Sequence, residues 1–555
     1  MSGNPERKEV IPGCYKDNRA FPAVIENTGG ILKTENDNYR QGRLGRYKGA
    51  GTGQEPDLPA WGKQVMEGKE KGLRKKELKK TGLNKRNPAG RGKYAITGGI
   101  LLDGTKDMRP QYGKTVFIKG DRIVKIREVS EIPEGFKVID ARGVYVLPGL
   151  INMHVHLAGN GKPQKKQRDN EKLVKLIFSN PVSARAAEFL VAHYARIALM
   201  SGVTTIRTVG GLRDLDTRLR DQIARGEKDG PRILAANEGI SVPGGHMAGS
   251  VAAAASSAEE AVSLVCKADR QKVDLIKLMI TGGVLDAREK GVPGELKMAP
   301  EMIRAVCEKA HALGYKTAAH TESTEGVIQA LKNGVDSIEH GAAPTEEMIR
   351  LFQERHAFLT TTLSPALPYA LFPREVSHAS DTERYNGRIV FDGIRDCAIA
   401  ALENGIPVAL GNDVGCPWVT QYDFWRELVY FRKYTGVSNA FAIHTATLNN
   451  ALLAGIGDIT GSLEEGKCAD LIMVEENPLD DLKALRKVRM VMAIKFGFFL
   501  LSPVLFIIGV LWNMILSLIE AVFHAFLSLF RKNKAVGLIA TIIIVMVLYR
   551  ILFRY

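Results

Sequence analysis

The sequence predicts an α/β fold in which parallel strands and helices alternate around a barrel. Two observations lead to this prediction. Residues 151–454 alternate short apolar, strand-like runs with helix-like segments. Polar side chains also stand at the ends of several such runs, and a β/α barrel gathers the ends of its strands at one mouth. These side chains are His154, His156, Lys277, His320, His340 and Asp413.

The first two of these residues, His154 and His156, end the apolar run 148–156. Alternate residues of a β-strand point to the same face of the sheet. Two histidines at i and i+2 can therefore bind one metal ion from a single strand.

The stretch between His320 and His340 shows the repeating unit. Hydroxyl-bearing residues at 321–324 can cap a helix, apolar residues at 327–331 supply its buried face, and Gly334 ends it. The next apolar run then leads to His340. Twenty residues is about the length that one helix and its turns require before the next strand ends.

Both flanks of this alternating region contain β-like segments. Residues 116–118 and 123–126 predict a hairpin with a turn at 119–122. A further β-like run, residues 469–474, lies far downstream.

The net charge of +15 belongs to the two ends of the chain. Residues 1–93 carry 21 Lys and Arg against 11 Asp and Glu, and residues 494–555 carry six against one. The body between them is neutral, which argues against nucleic acid as a partner. Residues 1–93 are polar with little periodicity, and we predict a basic, disordered extension there.

The C-terminal residues 495–555 predict a membrane tail. Residues 496–519 are 24 residues without a charge, and residues 535–549 are again strongly apolar. The first run is long enough to cross a bilayer, so one or two transmembrane helices are expected. The polar N-terminus predicts no secretory signal peptide, and six scattered cysteines suggest a reducing compartment. We therefore expect a membrane-anchored protein whose neutral body lies in the cytoplasm.

Segment 148–156 resembles the opening metal motif of the amidohydrolase superfamily. Four later segments resemble the branch that contains the Xaa-Pro dipeptidases, with imidazolonepropionase-like enzymes as close neighbours. The four segments are residues 202–207, 276–283, 336–341 and 461–467. They occur in the family's order, and the resemblance covers residues 94–493.

The resemblance implies an α/β fold, a (β/α)8 TIM barrel, over residues 151–454. It also implies a small composite β-sandwich whose first part is residues 94–150 and whose second part is residues 455–494. The metal-binding and catalytic positions of the family fall on the six polar residues named above.

The chemistry of Lys277 suits this assignment if the amine is modified. A lysine ammonium cannot bind a cation, but a neutral lysine that captures carbon dioxide becomes a carbamate, an anion able to bridge two metals. We expect two divalent ions ~3.5–4 Å apart that share a hydroxide. Zinc suits the donor set, and manganese and cobalt remain open.

The resemblance also implies a role for each residue. His154, His156 and Asp413 would bind one ion, and His320 and His340 the other, with the Lys277 carbamate between them. Asp413 would take a proton from the attacking water and pass it to the leaving nitrogen. A further residue, His246 in a glycine-rich loop, is a candidate contact for a substrate carboxylate.

These features predict a metal-dependent amidohydrolase that cleaves the C–N bond of a small dipeptide-like or N-acyl amino acid substrate. One alternative is a mononuclear deaminase or cyclic-amide hydrolase, since Glu322 lies two residues after His320. A second alternative is a catalytically inactive membrane scaffold. Whether the chain forms a homo-oligomer stays open at this level.

Overall fold

The computed structural model describes residues 92–163 and 169–493, together with the backbone of a two-residue strand at 499–500. The chain divides into two units, residues 1–498 and 499–555. The predicted basic extension lies almost entirely outside the described residues, as do the predicted membrane spans. Among the described residues, no helix is both long enough and apolar enough to cross a bilayer. The structure thus gives the predicted membrane tail no support.

The strands of the described residues are numbered in chain order. They are β1 (Lys93–Thr97), β2 (Ile100–Leu101), β3 (Lys114–Lys119), β4 (Arg122–Glu128), β5 (Lys137–Asp140), β6 (Tyr145–Pro148), β7 (Leu150–Val155), β8 (Val203–Thr208), β9 (Arg232–Ala235), β10 (Gly239–Ser241), β11 (Ala252–Ala254), β12 (Leu275–Met279), β13 (Lys316–Thr321), β14 (Ser337–His340), β15 (Phe358–Thr361), β16 (Val408–Leu410), β17 (Leu471–Val474), β18 (Val488–Met492) and β19 (Phe499–Leu500).

The helices are numbered in the same way. They are α1 (Asn170–Ile177), α2 (Pro181–Met200), α3 (Leu215–Arg225), α4 (Ala258–Arg270), α5 (Pro300–Ala312), α6 (Thr324–Lys332), α7 (Glu346–Arg355), α8 (Leu367–Leu371), α9 (Arg374–Ser377), α10 (Asp381–Glu403), α11 (Phe424–Thr435), α12 (Asn439–His444) and α13 (Asn450–Leu453). A π-helical turn, Thr445–Asn449, joins α12 to α13, and a 3-10 turn spans Leu482–Arg486.

The barrel consists of two parallel sheets, one with the order β7-β8-β9 and one with the order β11-β10-β12-β13-β14-β15-β16. The amide of Asp274 donates to the carbonyl of Ala235 and so joins β12 to β9. The amide of Asp413 donates to the carbonyl of His154, and that of His156 to the carbonyl of Val414, which joins the segment after β16 to β7. This arrangement is consistent with the predicted TIM barrel.

Asn450, at the start of α13, forms hydrogen bonds to both the first and the last strand of the barrel, β7 and β16. Its side-chain amide donates to the carbonyls of Ile151 and Leu410 at 2.7 and 2.8 Å, and its carbonyl accepts from the amide of Leu410 at 2.9 Å. One buried side chain therefore satisfies backbone groups of both strands at the point where the barrel closes.

The β-sandwich takes strands from both sides of the barrel sequence. One sheet has the order β4-β3-β1-β5, and the other contains β18-β17-β6-β2. The predicted hairpin is β3 and β4, with Gly120 in its turn at φ +65°. The buried Arg232 of β9 pairs with Asp470, just before β17, at 2.9 Å and ties the barrel to the sandwich.

The predicted unit between His320 and His340 is present as α6. Ser323 caps its first turn by accepting from the amide of Gly326, and the buried residues of the helix face the barrel. Gly334 then takes φ +98°, a conformation that favours glycine, and the chain enters β14.

Candidate metal centre

The barrel places five of the six predicted polar residues together at the carboxyl ends of its strands. His154 is in β7, His320 in β13 and His340 in β14, while His156 directly follows β7 and Asp413 is the third residue after β16. The ring of His340 lies 4.8 Å from that of His154 and 4.6 Å from that of His320, between centroids. The sixth residue, Lys277, is 1% exposed in the middle of β12, beside β13.

The ligand groups differ in one respect from the predicted ones. His154, His340 and Asp413 present ligand atoms within 4.8 Å of one another, and His320, Glu322 and His340 form a second such group. His340 therefore belongs to both groups. The sequence interpretation placed it only with His320.

Two of these residues have unusual backbone conformations. His340 has φ +71° and Asp413 has φ +53°, in the left-handed region that costs a non-glycine residue ~1–3 kcal/mol. The turn at His340 breaks the alternation of β14. As a result, both His340 and its neighbour Glu339 contact His154.

Hydrogen bonds hold the ring proton of both His154 and His156 on Nδ1, the nitrogen that faces away from the centre of the site. The Nδ1 of His156 donates to the carbonyl of Gly210 at 2.8 Å, and the Nδ1 of His154 donates to Glu339 at 2.8 Å. In the neutral rings, each Nε2 then carries only a lone pair. These nitrogens face Oδ1 of Asp413 at 3.4 Å for His154 and 3.2 Å for His156.

The carboxylate oxygen at the centre has no hydrogen-bond partner. Although Oδ1 of Asp413 is buried and close to both nitrogens, none of the described residues donates to it with hydrogen-bond geometry. Three electron-pair donors thus converge without a proton between them, which is unfavourable unless a cation is present. The residues fit a divalent metal ion.

Burial and charge favour metal-binding protonation states. Burial lowers the pKa of His154 to about 4, with a further contribution from the charge of Lys277. It also lowers the pKa of His320 and His340 well below the usual value. Burial lowers the pKa of Lys277 to about 8, so the neutral amine needed for reaction with carbon dioxide is accessible near neutral pH.

Asp413 stays ionised in the same surroundings. Burial by itself raises the pKa of its carboxyl, and positive charge on the side of His154 and His156 holds the pKa well below its usual value, a charge that a bound cation supplies when both rings are neutral. The group is therefore an anion, suited to bind a cation and to accept a proton.

A buried ion pair supports the centre from behind. Glu339 is fully buried, and its carboxylate accepts two hydrogen bonds from Nη2 of Arg207 at 2.7 and 2.8 Å. The Nε of Arg207 donates to the carbonyl of Met153 at 2.7 Å. Burial raises the pKa of Glu339, but Arg207 and then His154 outweigh it and hold the carboxyl ionised. This pair orients His154, as partners of metal-binding histidines usually do.

Sequence reasoning did not single out Glu339. The signal was present, because Ser337 and Glu339 stand two residues apart in the same strand and therefore share a face. The side chain of Ser337 donates to Glu339 at 2.5 Å. A charged residue in such a position needs a buried partner.

The sequence-predicted His246 lies beside the second ligand group. Its ring is stacked on that of His320, with centroids 4.0 Å apart and an angle of 7° between planes. Its Nδ1 donates to Asp286 at 2.5 Å, and the same carboxylate oxygen accepts from the amide of Gly283 at 2.8 Å. Asp286, a second residue that sequence reasoning missed, thus fixes the orientation of His246.

Fold and site together define a β/α barrel with a metal-ligand cluster at the carboxyl ends of its strands, and comparison with known proteins gives its family. Residues 145–495 match the family model described as "Amidohydrolase family". The chain belongs to the amidohydrolase family.

Three relatives illustrate the similarity. A structure from Bifidobacterium longum, described as a candidate prolidase, is 35% identical with a TM-score of 0.64, over 73% of this chain and 94% of that one. The structure of a Xaa-Pro dipeptidase with bound methionine in its active site is 29% identical with a TM-score of 0.63, over 74% and 100%. Ochratoxinase of Aspergillus niger is 25% identical over 429 residues, 71% of this chain and 83% of the relative.

Proposed function

We propose that this protein is a metal-dependent amidohydrolase that cleaves the C–N bond of a dipeptide-like or N-acyl amino acid substrate. The observation that carries the proposal is the convergence of the Nε2 atoms of His154 and His156 on the unpartnered, ionised Oδ1 of Asp413. This is a set of donors arranged for a cation at the mouth of a barrel.

We assign the residues to two divalent ions and expect zinc from the type of donor atoms. His154, His156 and Asp413 would bind the first ion, and His320 and His340 the second, with a carbamate on Lys277 between them. When bound, the metals would polarise the scissile carbonyl and activate water at neutral pH.

The protein's own groups then move the proton and orient the substrate. Asp413, ionised in this site, would accept a proton from the attacking water and return it to the leaving nitrogen. His246, which Asp286 orients through Nδ1, would contact a carboxylate of the substrate.

The relatives support an amide substrate. The Xaa-Pro dipeptidase and the candidate prolidase carry names that refer to peptide bonds before proline. A dipeptide-like or N-acyl amino acid substrate combines an amide bond with a free carboxylate, and His246 lies where it would contact such a carboxylate.

The test uses the full chain, purified in detergent without chelator. Elemental analysis is expected to give about two equivalents of divalent metal per chain. The same preparation should hydrolyse members of a panel of Xaa-Pro dipeptides and N-acyl amino acids. Protein without bound metal, or metal-loaded protein inactive on every amide of the panel, would contradict the proposal.

A second candidate function rests on Glu322. Burial raises the pKa of its carboxyl to about 8, and the group lies with His320 and His340 within ligand distance. A protonated carboxyl beside a metal ligand suits the proton transfers of a mononuclear deaminase or cyclic-amide hydrolase. About one equivalent of metal, with release of ammonia from an amine substrate or ring opening of a cyclic amide, would favour this candidate.

Replacing Asp286 with asparagine is expected to impair substrate binding more than catalysis. The Asp286→Asn protein loses the charge that fixes the Nδ1 proton of His246, so KM should rise about tenfold while kcat and metal content change little. Steady-state kinetics and elemental analysis check this result. Glu289→Gln, an exposed change in the same loop, is the matched control. A loss of kcat with unchanged KM would show that His246 does not bind substrate.

A further inference from the structure

One buried carboxylate has no role in the proposed function and no cation beside it. Asp216, in the first turn of α3, is 1% exposed, and its Oδ2 has no hydrogen-bond partner within the part of the chain that the structure describes. The other buried carboxylates outside the ligand groups are partnered: they are Glu339, Asp423 and Asp470, which pair with arginines, and Glu427, which accepts from two backbone amides. An unpartnered carboxylate is unfavourable to bury, so its position in the fold needs a cause.

Asp216 packs against the turn that holds His156. Its carboxylate fills the space beside Gly211, so that a Cβ added to this glycine would overlap with Oδ2 of Asp216. The preceding residue, Gly210, accepts the hydrogen bond from Nδ1 of His156 at 2.8 Å. A Cβ added to Gly210 would lie 3.0 Å from Cε1 of the same ring. The two glycines therefore let the carboxylate and the imidazole approach one turn closely.

The two neighbouring histidines differ in the group that accepts from Nδ1. His154 donates to the carboxylate of Glu339, whereas His156 donates to the uncharged carbonyl of Gly210. A carboxylate partner makes a metal-binding histidine more basic, and its loss typically costs ~10–100-fold in metal affinity. For His156, the available negative charge is that of Asp216, which lies behind the turn instead of in direct contact with the ring.

Electrostatics couples Asp216 to the side of the centre on which His156 lies. Burial raises the pKa of the Asp216 carboxyl to about 6, while the hydroxyl of Thr208 and positive charge at His156 act in the opposite direction. A cation bound by His156 would therefore favour the anion, and the anion would favour the cation by the same free energy. Two divalent ions leave positive charge at the centre even with Asp413, a carbamate on Lys277 and a hydroxide.

The end of β8 offers a second position for the same charge. Thr208 is the last residue of this strand and is fully buried. Its hydroxyl is close to the Asp216 carboxyl but lies outside hydrogen-bond geometry. A carboxylate at position 208 would thus approach the contact from the strand, where Asp216 approaches it from the helix.

We propose that Asp216 is a positioning residue for the metal centre, which fixes the turn 210–211 and holds a negative charge behind His156. The charge strengthens binding of the ion that His156 contacts. The inference rests on the proposed function, because it requires a metal ion at His154, His156 and Asp413. Asp216 touches neither the ion nor the substrate, so its effect is on the affinity for the metal.

The test compares the zinc affinity and the metal-free stability of the Asp216→Asn protein with those of the wild type. Asparagine keeps the shape of the side chain and removes its charge. The full chain in detergent is stripped of metal and titrated with zinc against a chromophoric chelator. One of the zinc-binding steps should weaken about tenfold or more. Urea unfolding of the metal-free variant should show equal or higher stability, because an unpartnered buried charge has been removed.

Returning the charge from the strand separates charge from shape. Thr208→Asp combined with Asp216→Asn should restore most of the zinc affinity. The control is Asp470→Asn, which breaks a buried pair with Arg232 at the amino end of β9; it should lower the metal-free stability and leave zinc affinity unchanged.

Three results would count against the inference. Unchanged zinc affinity of Asp216→Asn would overturn it while leaving the proposed function intact. Lower stability of metal-free Asp216→Asn, without recovery of zinc affinity by Thr208→Asp, would show a structural role only and would overturn it as well. A wild-type chain that binds no zinc would overturn the proposed function and this inference together.

Discussion

The Lys277→Ala protein is expected to lose bound metal and activity together. Lys277 is buried, and burial lowers the pKa of its amine to about 8, so the group can react with carbon dioxide and supply a bridging anion. Without it, the metal content should fall from about two equivalents to about one or fewer, and kcat/KM by ~10³-fold or more. Elemental analysis and steady-state kinetics measure both effects.

Two further variants at this position separate charge from packing. Lys277→Met fills the same space without an anion and should behave like the alanine variant. Lys277→Glu supplies a carboxylate in place of the carbamate, and part of the metal content should return. A Lys277→Ala protein with full metal content and normal turnover would rule out the bridging role.

The Arg207→Met protein is expected to be strongly destabilised. Methionine leaves the fully buried carboxylate of Glu339 without the two charge-assisted hydrogen bonds from Nη2 of Arg207. Removing one partner of a buried ion pair lowers the free energy of unfolding by ~3–5 kcal/mol. Urea unfolding of the metal-free full chain in detergent, followed by tryptophan fluorescence, measures the loss.

The ion pair on the surface of α7 is the matched control. Arg350 and Glu354 are 2.7 Å apart but more than half exposed, so Arg350→Met should change the unfolding free energy by less than ~1 kcal/mol. Combining Arg207→Met with Glu339→Gln removes the stranded charge and should restore part of the stability. Equal losses for Arg207→Met and Arg350→Met would show that the buried pair does not support the site.

The sequence allowed the metal-ligand candidates to be found because each follows an apolar run. His154, His320 and His340 lie in strands whose other residues are mostly buried, and parallel strands bring such positions to one edge. The alternation of apolar runs and helix-like segments likewise predicted parallel strands with helical connections, while the closed barrel came from the family resemblance.

The distribution of ligands between two groups could not be predicted in this way. It depends on the backbone turn at His340 and Asp413, and neither residue type signals a positive φ as glycine would. Glu339 and Asp286 were missed for another reason. Their roles are to orient His154 and His246, and contacts between residues 185 and 40 positions apart in sequence leave no local pattern.

The composite sandwich has a consequence for how the chain is made. β6 pairs with β17 from Pro148 to Leu471, so a strand synthesised before the barrel waits about 320 residues for its neighbour. At the ~5–20 residues per second of translation, the delay is roughly 15–65 s. Throughout that interval, the apolar edge of β6 is open on the nascent chain, a site for chaperone binding or for pairing between chains on one polysome. Release of residues 471–492 from the ribosome is thus the step that ends this exposure.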